Sequence, residues 1–255
     1  MRKNFLLPLL LPVLVVLFSC KKDHHYPYPL EHRKHRIKQV INFSKLDFEP
    51  DTLTFYYDKK GNPTRIIRNK VGTGKPNIRF NYDAKGRLYT YVSEYEAGGD
   101  FTEFARKFFY DANNRVIADS VYVYAGVNED VFFPAPPYNV YGLIGKTSYF
   151  YDNQDRIIRL EVERGGSFPG HDTYHFTYNS NGNLNTYTIW DNNVNPRRLH
   201  PVWQLISHDY SVNNPFTTAT YNDFKLPIQT PGVDNYLNDV FLYDIPLSNS
   251  KIVYE

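Results

Sequence analysis

"RFNYDAKGRLYTYV", Arg79 to Val92, contains a phrase that the chain writes five times. The copies read "FYYDKKGNPTRI" from Phe55, "FNYDAKGRLYTY" from Phe80, "FFYDANNRVIAD" from Phe108, "YFYDNQDRIIRL" from Tyr149 and "FTYNSNGNLNTY" from Phe176. Self-similarity on this scale marks a repeat architecture in which each copy is one supersecondary unit. Alternation before the turn puts Phe80 and Tyr82 on one face of a strand and Asn81 on the other. "DAKG" then fits a three-residue hairpin loop, a type I turn closed by one residue in the left-handed conformation. Gly61, Gly86 and Gly182 take that last position without steric cost. The other two copies place Asn114 and Asp155 there, the residue types that best tolerate positive φ after glycine.

Such a loop pairs the residue before it with the residue after it: Asp58 with Asn62, Asp83 with Arg87, Asp111 with Arg115, Asp152 with Arg156 and Asn179 with Asn183. The copy that loses its aspartate also has no arginine. The aspartates therefore serve the turn, capping its amides and facing a cross-strand partner. A row of calcium ligands is the poorer reading, because the arginines opposite Asp83, Asp111 and Asp152 would oppose the ion. One step further out, Tyr82 faces Leu88, Tyr110 faces Val116, Tyr151 faces Ile157, Tyr178 faces Leu184 and Tyr57 faces Pro63. These pairs predict one aromatic stripe across a sheet, and the 17% aromatic content tilts the whole composition towards strands.

The expected fold is all-β: an antiparallel meander of repeated hairpins forming a curled open sheet or partial barrel. "HDYSVNNPF", from His208, reads as a degenerate sixth copy that caps the array. "GVDNYLNDVFLYD" places Val233, Leu237 and Val240 or Phe241 at helical spacing, so a short C-terminal helix is expected to cover an open edge.

The N-terminus reads as a targeting segment. Arg2 and Lys3 precede an apolar run from Phe5 to Phe18, interrupted by Pro8 and Pro12 and shorter than the roughly 20 residues of a membrane span. The only cysteine, Cys20, follows it. Residues 1–19 are thus a signal peptide, 20–36 a flexible tether and 37–255 the repeat domain. With Cys20 as the sole thiol, disulfides and cysteine-metal sites are excluded. His24, His25, His32 and His35 lie in the polar tether, a poor preorganised metal site. The chain has 29 Lys+Arg against 27 Asp+Glu, and loss of Arg2 and Lys3 leaves no net charge. Nucleic acid, which calls for a basic stripe, is not an expected partner.

"YDAKGRL" resembles the YD repeat of Rhs proteins and teneurins, and "LFSC", Leu17 to Cys20, resembles the lipobox of bacterial lipoproteins. Together they resemble the RHS/YD-like surface lipoproteins of Gram-negative bacteria, a family of unknown function, over Phe55 to Trp190. The resemblance implies lipid attachment at Cys20, location at the cell outer membrane or surface, and antiparallel strands in a long curling sheet. Five unevenly spaced copies are too few for the closed shell of the large family members.

Ligand-binding residues are expected outside the phrase. "NEDVFFPAPPYNVYGLIG" is a long insertion between the third and fourth copies, and loops on a rigid scaffold are where binding groups sit, here Phe132, Phe133, Tyr138 and Tyr141. Trp190 and Trp203 flank Arg197, Arg198 and His200, a mixture of flat rings and donors that suits a glycan or an anionic polymer. An exposed strand edge would instead favour an envelope-protein partner or a purely structural role.

Enzymatic patterns fail when spelled out. "NKVGTGKP" lacks the leading glycine of a phosphate loop and has Pro76 where Ser or Thr would hold magnesium. Ser167, His171 and Asp172 lack the strand-to-helix context of a nucleophile elbow. His171 and His175 share a strand face without a third metal ligand. A dispersed carboxylate pair for glycoside hydrolysis is the weakest alternative. The chain reads as a non-enzymatic binding or scaffold module that implies no cofactor and no metal.

Overall fold

The computed structural model describes residues 34–43, 49–72, 74–96, 101–128, 131–134, 143–165, 169–232 and 245–255, with side chains 126–144 not among them. In chain order the strands are β1 (Ile37–Asn42), β2 (Asp51–Tyr57), β3 (Pro63–Arg68), β4 (Asn77–Tyr82), β5 (Leu88–Glu94), β6 (Phe101–Tyr110), β7 (Val116–Asn128), β8 (Val131–Pro134), β9 (Leu143–Tyr151), β10 (Ile157–Arg164), β11 (Gly170–His175), β12 (Thr220–Tyr221), β13 (Pro227–Gln229) and β14 (Ser250–Tyr254). One short helix, α1 (Pro201–Ser207), follows a 3-10 turn at Pro196–Leu199. The strands form one unclosed sheet in the order β11-β10-β9-β7-β6-β5-β4-β3-β2-β1-β14-β13-β12, with β8 paired to β7. Every described pairing is antiparallel.

The turn chemistry is as the phrase requires. In the second copy the Asp83 N–H donates to Arg87 O at 2.9 Å and the Gly86 N–H donates back to Asp83 O at 2.8 Å. Asp83 Oδ1 accepts from the Lys85 and Arg87 amides, both at 2.9 Å. Gly61, Gly86, Asn114, Asp155 and Gly182 all have positive φ. A sixth copy exists, but it is Tyr221 to Pro227 rather than the stretch from His208. The Asn222 N–H donates to Leu226 O, Lys225 takes the left-handed position at φ 59°, and Asn222 Oδ1 accepts from the Phe224 and Leu226 amides. His208 instead ends α1 in the left-handed conformation.

Each copy is stitched to its neighbour. The Tyr82, Tyr110, Tyr151 and Tyr178 hydroxyls donate to the carbonyls of Pro63, Leu88, Val116 and Ile157, the residues that face the previous copy's tyrosine. Arginine lies over the next copy's ring: Arg87 over Tyr110 at 4.3 Å, Arg115 over Tyr151 at 5.7 Å and Arg156 over Tyr178 at 4.1 Å. Arg87 also donates to Asn114 Oδ1, and Arg115 to Asp155 Oδ1, so the guanidinium reaches the next turn.

The same unit recurs where β14 meets β1, with no turn between them. Tyr254 faces Ile37, its hydroxyl donates to Pro227 O at 2.9 Å, and Tyr57 donates to Ile37 O at 2.7 Å. Glu255 and Arg36 exchange two backbone hydrogen bonds of 2.9 Å and form an ion pair at 3.1 Å. Tyr254-Glu255 and Arg36-Ile37 thus rebuild from distant parts of the chain what Tyr82-Asp83 and Arg87-Leu88 build locally.

The core lies on the sheet face that carries Phe55, Phe80, Phe108 and Tyr149, and the segment 194–216 fills it. Trp203 lies edge-on to Phe55 of β2 and Phe80 of β4, while His208 reaches Tyr149 of β9. In a flat sheet β3 and β9 would be about 24 Å apart, whereas five helical residues advance only about 7.5 Å. The sheet therefore curls around this plug.

Asparagine does the aspartate's work in the fifth and sixth copies. Asp111→Asn should accordingly stay within about 0.5 kcal/mol of wild type, while Asp111→Ala, which strands the Asn113 and Arg115 amides, should lose about 0.5–1.5 kcal/mol. Urea melts of both variants check this; equal losses would contradict the turn-capping role.

Candidate functional site

Between the row of hairpin turns and the plug runs a groove of about 660 Å³. The turns give it Asn62, Arg87, Arg115 and Arg156, spaced by the repeat, with Tyr82, Tyr110 and Tyr151 beneath them. Arg198, His200, Gln204 and Leu205 form the opposite wall. Local sequence sets that wall. Asn195 Oδ1 caps the 3-10 turn by accepting from the Arg197 amide, and Pro196 supplies the fixed φ of a first turn. His200 Nδ1 then accepts from the Val202 amide at 3.2 Å, and Pro201 starts α1. The groove closes where the plug touches the fifth turn: a Cβ added to Gly182 would meet Val212 Cγ2 at 2.9 Å. Asn183 and Asn213 exchange hydrogen bonds of 3.1 and 2.8 Å there.

The electrostatics of the two walls differ. Burial acts to raise the Asp83 and Asp111 carboxyls, but hydrogen bonds from the following amides and from Arg87 and Arg115 outweigh it and hold both below the usual carboxylate range. Burial pushes the Tyr82, Tyr110 and Tyr151 hydroxyls well up, so they stay neutral donors to backbone carbonyls. On the plug wall, burial pushes His200 down to about 4, which keeps its imidazole neutral and able to accept at Nδ1. The groove therefore offers guanidinium and amide donors over an apolar floor, with one lining carboxylate, Asp155, paired to Arg115 at 3.5 Å. Among the described residues no cluster of three His, Asp or Glu is placed to hold a metal ion.

The residues singled out from sequence separate. Arg198 and His200 line the groove. Arg197 is turned inward, 2% exposed, with Asp209 at 3.5 Å. Trp203 has no exposed surface and touches His200 as well as Phe55 and Phe80. The expectation of an open ring at Trp203 is corrected: α1 lays that ring on the core face, leaving no side for a ligand. Trp190 is half-buried, its indole N–H donating to Tyr187 O at 3.1 Å and its ring edge-on to Tyr187. Phe132 and Phe133 lie in β8, which pairs with β7, and their side chains are not described. Cys20, Tyr138, Tyr141, Ser167 and the helix expected around Val233 to Phe241 lie outside the described residues. Asp172 is held by Arg164 at 2.8 Å.

The chain matches no family model. No curated protein matches it either. Among solved structures it is similar to three forms of one complex, TcdB2-TccC3. With Cdc42 the identity is 13%, over 72% of this chain, with a TM-score of 0.31. Without the hypervariable C-terminal region the values are 14%, 76% and 0.30, and in the TEV form 14%, 74% and 0.30. This chain spans 9% of the length of each. At that distance the likeness bears on neither its fold nor its function.

Sequence reading missed the groove's main residues, because Arg87, Arg115 and Arg156 were already explained by their turns. It also missed a buried charged cluster. Arg106 Nη1 donates to Asp119 Oδ2 at 2.6 Å, to Thr147 Oγ1 at 3.2 Å and to Tyr149 Oη at 3.4 Å, and the Tyr149 hydroxyl donates to Asp119 Oδ2. The signal was present: in "FARKFFY" Arg106 falls on the same alternating face as Phe104, Phe108 and Tyr110.

Proposed function

We propose that the protein is a lipid-anchored binding module of the cell envelope whose groove receives a length of acidic polysaccharide or a similar anionic polymer. The observation that carries this reading is the row of guanidinium groups, Arg87, Arg115 and Arg156, facing Arg198, His200 and Gln204 across about 660 Å³. That volume lies within the range of small-molecule sites. Successive arginines sit two strands apart, about 10 Å, so a polymer can meet them in register with its own repeat. Planar guanidinium groups present paired donors to carboxylates. Because each also serves its own aspartate, recognition would be by many modest contacts, with marked salt dependence. Lipid attachment at Cys20 would hold this groove at the outer membrane.

The test is calorimetric titration of the protein with an acidic polysaccharide such as polygalacturonate, beside a neutral glucan. Gln204→Glu puts a negative charge on the groove wall without disturbing a core residue. It should weaken acidic-polymer binding at least tenfold and leave thermal stability unchanged. Absence of binding to any acidic polymer, or binding indifferent to Gln204→Glu, would leave the structural or protein-interaction role in its place.

A further inference from the structure

We infer that β11 is a self-association edge, through which two copies of this chain join their sheets. Among the described residues β11 ends the sheet, with β10 as its only strand neighbour. The Phe176 amide donates to Ile158 O, which fixes the phase of the ladder. Residues 170, 172, 174 and 176 turn their backbone groups towards β10, so His171, Thr173 and His175 turn theirs away. Those outward N–H and C=O groups have no hydrogen-bond partner among the described residues.

Native edges are commonly guarded by lysine, proline, a bulge, an inward-pointing charge or extreme shortness. β12, the other end, is two residues long. β11 has six residues, an unbroken register, and neither lysine nor proline, and its one acidic side chain, Asp172, is neutralised within the sheet by Arg164 at 2.8 Å. The free window has a definite limit, because Asn185 N donates to Thr177 O and so occupies the edge just beyond it.

Within that window the sequence, His-Asp-Thr-Tyr-His from His171 to His175, is nearly symmetric about Thr173. A second copy is the occupant that this symmetry fits. Antiparallel pairing about a two-fold axis at Thr173 sets Thr173 opposite its own counterpart and His171 opposite the other copy's His175. Three exchanged pairs then satisfy all the outward backbone groups of both windows. Asp172 falls opposite Tyr174 on the core-side face, Tyr174 being 43% exposed in the single chain. Thr173 meets Thr173 on the outer face, a favourable cross-strand pair. No residue of β11 lines the groove, so this inference does not depend on the polymer reading.

The experiment uses the whole chain in detergent. Thr173→Cys treated with a short bis-maleimide should give cross-linked dimers well above the wild-type background, and Thr217→Cys, exposed and outside β11, should not. Adding Thr173→Pro to the comparison isolates the backbone. Its missing N–H faces away from β10, a position where an edge strand tolerates proline. In sedimentation velocity the wild type and Thr173→Ala should dimerise, while Thr173→Pro should dissociate at least tenfold more readily, with its melting temperature at low concentration preserved. A wild type that stays monomeric up to about 1 mM, the weak end of specific association, overturns the inference. So does a proline variant that dimerises like wild type, or cross-linking no greater at 173 than at 217.

Discussion

Trp203→Ala should lose about 3–5 kcal/mol of stability, among the largest effects of any single substitution in this chain. The indole has no exposed surface and stands edge-on to Phe55 at 5.5 Å and Phe80 at 5.6 Å. Those rings belong to β2 and β4, so the indole joins the plug to the sheet. Truncation removes apolar burial and leaves a cavity that neighbours in different strands can fill only by moving the backbone. Urea melts should show the midpoint falling sharply with little change in slope, the mark of lost stability without a change in exposed area. A loss below about 1 kcal/mol would mean that α1 is not held as described. Binding measured well below the melting temperature should survive, because the ring does not line the groove.

Breaking the buried ion pair should cost as much. Asp119→Ala would leave Arg106, 1% exposed, without its principal counter-charge in the interior of the sheet. Removing one member of such a pair typically costs about 3–5 kcal/mol, because the remaining charge has no water to return to. Thr147 and the Tyr149 hydroxyl, which also meet Arg106 at 3.2 and 3.4 Å, are neutral and replace little of that attraction. Replacing both members together, Arg106→Met with Asp119→Val, should cost far less, since a matched apolar pair removes the desolvation penalty along with the attraction. Urea melts of both singles and the double form a double-mutant cycle. If the double variant lost more than Asp119→Ala alone, the cluster would be contributing more than mutual compensation of two buried charges.

The hairpins were legible because their constraints are local. A left-handed residue, a capping carboxylate and a period of two are all written within a dozen positions, and Tyr82 opposite Leu88 follows directly. The sixth copy escaped because Lys225 stands where glycine or asparagine is usual and Leu226 replaces the arginine. Only the backbone identifies it. Trp203 was misplaced for a different reason. Its neighbours in sequence are arginines and a histidine, but its environment is set by strands more than a hundred residues earlier. The groove was invisible in the same sense, since one wall is built from turns and the other from a plug whose position no local pattern encodes.

The unit split between β14 and β1 imposes an order on assembly. β2 to β7 can zip from one hairpin to the next as soon as each turn forms, with little chain to close at every step. β1 has one neighbour it can find early, β2, and another, β14, that lies over two hundred residues away. Loop-closure entropy makes that second seam the slow one. Until it forms, β1 is a temporary boundary of the growing sheet, with the carbonyls and amides that Glu255 and Tyr254 will later meet still in water. Refolding should therefore show a late kinetic phase in which the two ends of the chain come together over a scaffold of hairpins already in place.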